Sequence, residues 1–258
     1  MFKDKMVTPA IPERVYTLCK IVEKKAMTAS DLREKMEPDY LQNNTSYFAD
    51  YRLAAEELGL ISISDNLISL AVEPKVVSSY DSMRRYINTK MEEIQDGNFY
   101  RVTHIFYEMG GSVLNENKNI ANWGPVMTEK LGKSIDAMEL RAWRFWVSYL
   151  GFGYLHDMFL IPNADVFLQD LILNAGFQKK QRYSFSEFVN KIRPWCNIVI
   201  SEDPSNRSLN YGVSNGLRTL HDLKVIKLEH ILDQVDIWNL YPMKGHPISD
   251  TVTNITIL

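Results

Sequence analysis

The chain has 258 residues, 45% hydrophobic and 24% charged, with a formal net charge of −3; this is the balance of an ordinary folded protein, and the length suits one large domain or two to three small ones. Charge is spread evenly, with 10 basic and 12 acidic groups in residues 1–75, 9 and 11 in 76–165, and 10 and 9 in 166–258. No segment is a basic tail, which argues against strong nonspecific nucleic-acid binding while leaving room for a local patch.

In chain order, Pro12 suits the first turn of a helix. Val15, Leu18, Cys19 and Val22 follow at i, i+3, i+4 and i+7, one buried helical stripe. Thr28 and Asp31 form a T-x-x-D cap that predicts a second short helix, with Leu32 and Met36 facing inward. "EPDYLQNN" reads as a loop. "TSYFADYRLAAEELG" reads as a third helix with Tyr47, Tyr51, Ala54 and Leu58 on one face and Gly59 as C-cap. The period then changes to alternation. Ile61 and Ile63, then Ile68 and Leu70, flank a tight turn at Asp65-Asn66. Three helices followed by a two-stranded hairpin is the order of a winged helix.

The pattern recurs. Val102, Ile105, Phe106 and Met109 repeat the first-helix stripe, as do Leu168, Leu171, Ile172 and Ala175. "ELGLI" at 57–61 is echoed by "YLGFGYL" at 149–155 and "DLKVIKL" at 222–228, each after an amphipathic helix. The helix stripes there are Leu140, Trp143, Val147 and Leu150, and Val213, Leu217 and Leu220. "YLHDMFLIPN" predicts a second hairpin around His156-Asp157. "SFSE" at 184–187 is a capping box, with Tyr183 placed to staple against Phe188. "KVIKLEHILDQVDIWNLYP" reads as a longer strand pair, and "HPISDTVTNITIL" as an added edge strand. The predicted fold is therefore mainly α with small β-hairpins, an α+β class of three tandem winged-helix-like units. The divisions are 1–75, a linking helix in 76–97, 98–163, and 164–258.

Helix and loop polar residues that a DNA reader or a partner would use are Asn44, Thr45 and Arg52 in the first unit, and Arg141 and Arg144 among Trp143, Phe145 and Trp146 in the second. In the third they are Lys179, Lys180 and Arg182 in the most basic run, "QKKQRY", with Arg207, Asn210 and Arg218 further on. Arginine beside aromatics also marks protein interfaces. The weak overall charge makes protein packing the stronger expectation for each helix.

Motifs with chemical meaning lack their context. Gly212-Val213-Ser214-Asn215-Gly216 matches the G-x-S-x-G of hydrolases, and Asp222 or Asp236 followed by His246 keeps the chain order. No apolar strand precedes it, however, so Ser214 is expected as a polar residue on a helix. Pro38-Asp39 with Glu73-Pro74-Lys75 resembles a nuclease PD…ExK pattern, but Asp39 falls in a loop rather than on a strand. The five histidines form no metal-ligating spacing, and Cys19 and Cys196 form no C-x-x-C pair, so neither metal nor other cofactor is expected. The N-terminus has no apolar signal region and no apolar run reaches membrane length, so no membrane role is expected and the expected compartment is the cytoplasm.

Through "VYTLCKIVEKKAMTASDLREKM" and "AAEELGLISISDNLISL" the first quarter of the chain resembles winged-helix domains. In plan the chain is similar to replication initiators, transcription regulators and the winged-helix subunits that dock on SMC-type and restriction machines. The opening "TPAIPERVYTLCKIV…AAEELGLI" and the three-unit length also resemble DpdG-type proteins, accessory components of bacterial deazaguanine DNA-modification and phage-defence clusters. That resemblance implies a non-enzymatic adaptor beside a helicase, nuclease or ATPase, with protein partners first and duplex DNA second. The alternative is a sequence-specific transcription regulator or replication initiator.

Overall fold

The computed structural model describes residues 1–41, 45–114, 119–201, 203 and 205–258. It is an α+β structure, helical for much of its length, with small antiparallel sheets. Helix α1 (Pro12–Lys24) buries its predicted stripe, Val15, Leu18, Cys19 and Val22. Strand β1 (Met27–Thr28) ends on the N-cap of α2 (Ala29–Met36), where the Thr28 hydroxyl accepts the Asp31 N–H. Helix α3 (Phe48–Glu57) buries Phe48, Tyr51, Ala54 and Ala55. It starts later than the sequence pattern suggests, so Phe48 takes the inward place expected of Tyr47, which is exposed. Strands β2 (Ile61–Ser64) and β3 (Leu67–Leu70) form the expected hairpin. Its turn residues Asp65 and Asn66 have φ of 49° and 63°, the doubly left-handed turn that matches strand twist. β1 adds a third strand, in the order β1-β3-β2.

Helix α4 (Tyr80–Asn88) follows, capped by Ser79. Then come α5 (Asn98–Met109), α6 (Gly124–Leu131), α7 (Ala137–Leu150), and the hairpin of β4 (Gly153–His156) and β5 (Phe159–Pro162). α7 begins with a capping box between Asp136 and Glu139. The remainder holds α8 (Asp165–Asn174), β6 (Arg182–Ser184), α9 (Phe185–Ile192), α10 (Tyr211–Asp222), β7 (Ile226–Glu229), β8 (Trp238–Asn239), β9 (Thr251–Val252) and β10 (Asn254–Ile257). Ser184 and Glu187 form the expected capping box of α9. The Phe177 ring lies 5.0 Å from that of Tyr183 and 5.4 Å from that of Phe188, so it bridges the two residues expected to staple directly.

Two expectations for the C-terminal region are corrected. β10 is not an edge strand: it lies between β6 and β7. β7 does not pair with the residues that follow it, but with β10, while Trp238 of β8 pairs with Val252 of β9. The alternation in "KVIKLEHILDQVDIW" marks strand-forming stretches without revealing which distant partner completes each ladder.

The three echoing segments share one backbone device. Gly59, Gly151 and Lys224 all take left-handed φ, at 64°, 82° and 58°. In each, the next N–H donates to a carbonyl five residues back: Leu60 to Ala55, Phe152 to Val147, and Val225 to Leu220, all at 2.9 Å. This is the Schellman closure of a helix C-terminus. The strand that returns ends alike, with the N–H of Ala71, Asn163 and Leu258 donating to the carbonyls of Leu60, Phe152 and Val225. The sheet orders β1-β3-β2 and β6-β10-β7 also correspond, and the 230–253 segment is an insertion between the last two strands of the second of these.

One continuous apolar core runs through the chain. Trp143 and Trp146 of α7 are fully buried in it. Their indole N–H groups donate to the Thr103 hydroxyl and the Ala10 carbonyl, which removes the cost of burying those donors. Among the described residues no helix is long and apolar enough to cross a membrane.

Candidate interaction surfaces

The helices that lead into the three shared junctions are α3, α7 and α10. Packing leaves them unequal. α10 is buried from Gly212 through Arg218 and again at Leu220. Its glycines permit this: a Cβ on Gly216 would lie 2.7 Å from the Ala164 carbonyl carbon and the Asp165 nitrogen, and one on Gly212 would lie 2.6 Å from the Tyr107 ring. The G-x-S-x-G match is thus a close helix contact. Ser214 is buried, its Oγ accepting the Tyr241 N–H at 2.8 Å and donating to the Leu209 carbonyl. α7 buries seven of its residues and exposes Met138 and Arg141. α3 keeps an open face of Ala49, Leu53 and Glu56, with Asp50 and Arg52 half-buried beside it.

The basic and polar residues singled out from the sequence fall into two groups. Some are committed to the fold. Arg144 donates to the Asp157 carbonyl at 2.8 Å and lies 4.7 Å over the Phe145 ring, tying α7 to the β4–β5 turn. Arg207 pairs with Asp236 at 2.6 Å, and Asp236 in turn accepts the Ser186 hydroxyl. Asn210 caps α10 by accepting the Val213 N–H, while its amide donates to Val199 O. Arg218 is 2% exposed, donating to the Tyr241 carbonyl and to Asp250. Arg207 and Arg218, with Ser214, therefore anchor the 230–253 insertion. Burial pulls the Arg218 guanidinium below its ordinary range, with Asp250 opposing.

The others face solvent: Thr45, Arg141, Lys179, Lys180 and Arg182, the last 3.5 Å from Glu229. Asn44, like Asn43, lies outside the described residues. Sequence reasoning passed over Lys227, which the sheet places in one row with Arg182 across Thr256, Lys224, which precedes the same strand, and Leu53, an apolar residue off the α3 stripe that is 46% exposed. Tyr40, Leu41 and Tyr47 are also exposed apolar residues of this first region, as are Ile63 and Leu67 on the β2–β3 hairpin.

A cleft of about 450 Å³ lies between α5 and the loop before α10, lined by His104, Glu108, Ser201 and Ser208 among others. His104 Nδ1 is 3.3 Å from the Ile198 carbonyl, and Nε2 is 3.6 Å from Glu108. Nearby Glu92 accepts the Tyr100 hydroxyl at 2.9 Å and the Ile198 N–H; burial raises its carboxyl, and these hydrogen bonds oppose the shift. This network closes on backbone groups and so fixes the loop to α5. Cys19 and Cys196 are buried and their thiols are pushed up to about 12 by that burial, which leaves them protonated and unreactive at neutral pH. Asp39 pairs with Arg33, and Lys75 with Glu73. Asp39 sits in a 3-10 turn and Glu73 beyond the end of β3, so the two acids do not share adjacent strands. Among the described residues no group of three or more His, Cys, Asp or Glu is placed to hold a metal ion.

Comparison with known proteins found no matching family model, no matching curated protein and no matching solved structure.

Proposed function

We propose that the chain is a non-enzymatic adaptor of three winged-helix-like units, which docks protein partners in a DNA-associated assembly. The first unit is α1, β1, α2, α3 and the β2–β3 wing; the second runs from α5 to β5; the third runs from α8 to β10, with the insertion inside its wing. The shared junctions and matching sheet orders support the division. The observation that carries the function is the fate of the third helices. α10 is spent inside the fold and α7 largely so, leaving α3 as the open one.

The α3 face suits protein better than phosphate. It offers Leu53 between Asp50 and Glu56, with Arg52 as its one cation, and its wing, residues 61–70, contains no Lys or Arg. Apolar side chains ringed by charge form the centre of protein interfaces, whereas DNA readers need donors and positive charge. The resemblance of residues 8–22 and 54–61 to DpdG-type proteins is the reason to place the assembly in phage defence beside a helicase, nuclease or ATPase.

The test is co-expression with the helicase, nuclease or ATPase encoded next to this chain's gene. Co-purification that is lost in Leu53→Glu, with the circular dichroism melt unchanged, supports the adaptor. A single duplex selected from a random pool with nanomolar affinity, insensitive to Leu53→Glu and abolished by Arg52→Ala, would instead establish the regulator or initiator.

A further inference from the structure

We infer that the outer face of the β6-β10-β7 sheet is a docking surface for the phosphate backbone of nucleic acid. Its location is separate from the α3 surface, so each proposal stands or falls alone.

In the sheet register, Arg182, Thr256 and Lys227 lie directly opposite one another across the three strands. Two residues along, Ser184, Asn254 and Glu229 form the next row on the same face, with Asn254 buried and Ser184 and Glu229 half-buried, so the open part of the face is the Arg182–Thr256–Lys227 row and the sheet end beyond it. The residues between these rows, Tyr183, Ile255 and Leu228, point to the other face and are buried. Two further cations flank the end of β10. Lys180, whose N–H donates to the Ile257 carbonyl, lies on the β6 side with Lys179 before it. Lys224 lies on the β7 side, beside Val225, whose carbonyl accepts the Leu258 N–H. All five cations are exposed. They lie in sequence segments some forty residues apart, and only the central position of β10 joins them.

Two observations select the partner. The six cross-strand positions are polar or charged, with the exposed apolar residues Leu223 and Leu258 confined to the end where Lys180 and Lys224 lie; five cations around these rows make the face complementary to an anionic backbone. The cation columns on β6 and β7 stand two strand spacings apart, about 10 Å. A duplex presents one charge per about 1.7 Å of its axis, so several phosphates fall within reach of the two columns, one of them at the place where Glu229 bridges Arg182 and Lys227. Glu229 is the one acid in the two rows, and it holds Lys227 at 2.7 Å and Arg182 at 3.5 Å. It occupies the place of an anion, and an arriving phosphate displaces it.

Fluorescence anisotropy with a labelled 20-base-pair duplex, titrated with the full chain from 50 to 200 mM salt, tests this. The wild type should bind micromolar or weaker, without sequence preference. Lys179→Ala/Lys180→Ala/Lys227→Ala should weaken binding at least ten-fold at 50 mM salt and flatten the log–log salt slope by about two to three. Glu229→Gln should tighten binding by about two- to five-fold, the weight of a surface ion pair. A general loss of folding does not predict that opposite sign. No binding at 50 mM salt, or a triple variant equal to wild type, would overturn the proposal. So would a poly-glutamate peptide that matches the duplex in affinity and in sensitivity to the same substitutions, since that outcome assigns the face to an acidic protein segment.

Discussion

Lys224 occupies a backbone position where the two equivalent junctions carry glycine. A side chain in the left-handed region costs about 1 kcal/mol, because its Cβ crowds the neighbouring carbonyl. Lys224→Gly is expected to stabilise the chain by about 0.5–1 kcal/mol, read as a raised urea midpoint with an unchanged slope. The reverse changes should differ from each other. A Cβ on Gly59 meets nothing within 4 Å, so Gly59→Ala should cost about 1 kcal/mol from backbone strain alone. On Gly151 the same atom would sit 2.6 Å from the Phe167 nitrogen and from Val166 Cβ, and the loss should be at least twice as large.

His221 is the residue at which pH should act. Its Nδ1 accepts the Leu228 N–H at 3.0 Å, which requires the neutral ring. Burial lowers its pKa from the ordinary 6.5, and His246, Lys224 and Lys227 add to the shift against the pull of Asp222. The folded state thus prefers the deprotonated ring. Its contribution is fully present above the unfolded pKa and is lost as pH falls through the lower folded value. Urea midpoints should therefore decline from pH 7.5 to 5.5, and His221→Gln should flatten that decline; an identical decline in the variant would remove His221 as its cause.

At the scale of elements, what surrounds a helix decided its use. α3 and α10 have the same place before a strand, yet only α10 carries Gly212 and Gly216 at a spacing that lets Tyr107 and Ala164 approach. Asn210 starts that helix with one side chain serving two partners. Asn210→Ala should cost about 1–2 kcal/mol, more than an exposed cap, because the Val199 carbonyl also loses its donor. Differential thermal denaturation against Thr28→Ala, a cap with the single Asp31 N–H partner, would show the difference.

At the scale of the whole molecule, α4 acts as a brace between the middle and last parts of the chain. Arg84 donates from Nε and Nη2 to both oxygens of Asp170 on α8, at 2.9 and 3.2 Å. Asn88 reaches both Asp170 and the Leu150 carbonyl. Asp170 is 3% exposed, so removing its cation strands a buried carboxylate. Arg84→Ala should cost about 3 kcal/mol, while Arg84→Met/Asp170→Leu should recover much of that loss. A double-mutant cycle in urea that gave additive losses would show the pair to be uncoupled.

The helical stripes, apart from Tyr47 ahead of α3, the caps at Thr28 and Ser184, the Asp65-Asn66 turn and the three recurring junctions were legible in the amino-acid order, since each depends on residues within about one turn or one hairpin. The helix-to-strand change of period was local in the same way. The place of β10 between β6 and β7, the burial of α10 and the joining of Lys224 and Lys227 to Arg182 came only with the tertiary structure. Arg218 shows why: its charge suggested a surface reader, but its partners, Tyr241 and Asp250, lie 23 and 32 residues away. Periodicity records which side of an element is apolar, whereas the neighbour that covers its polar side is set by long-range packing of the whole chain.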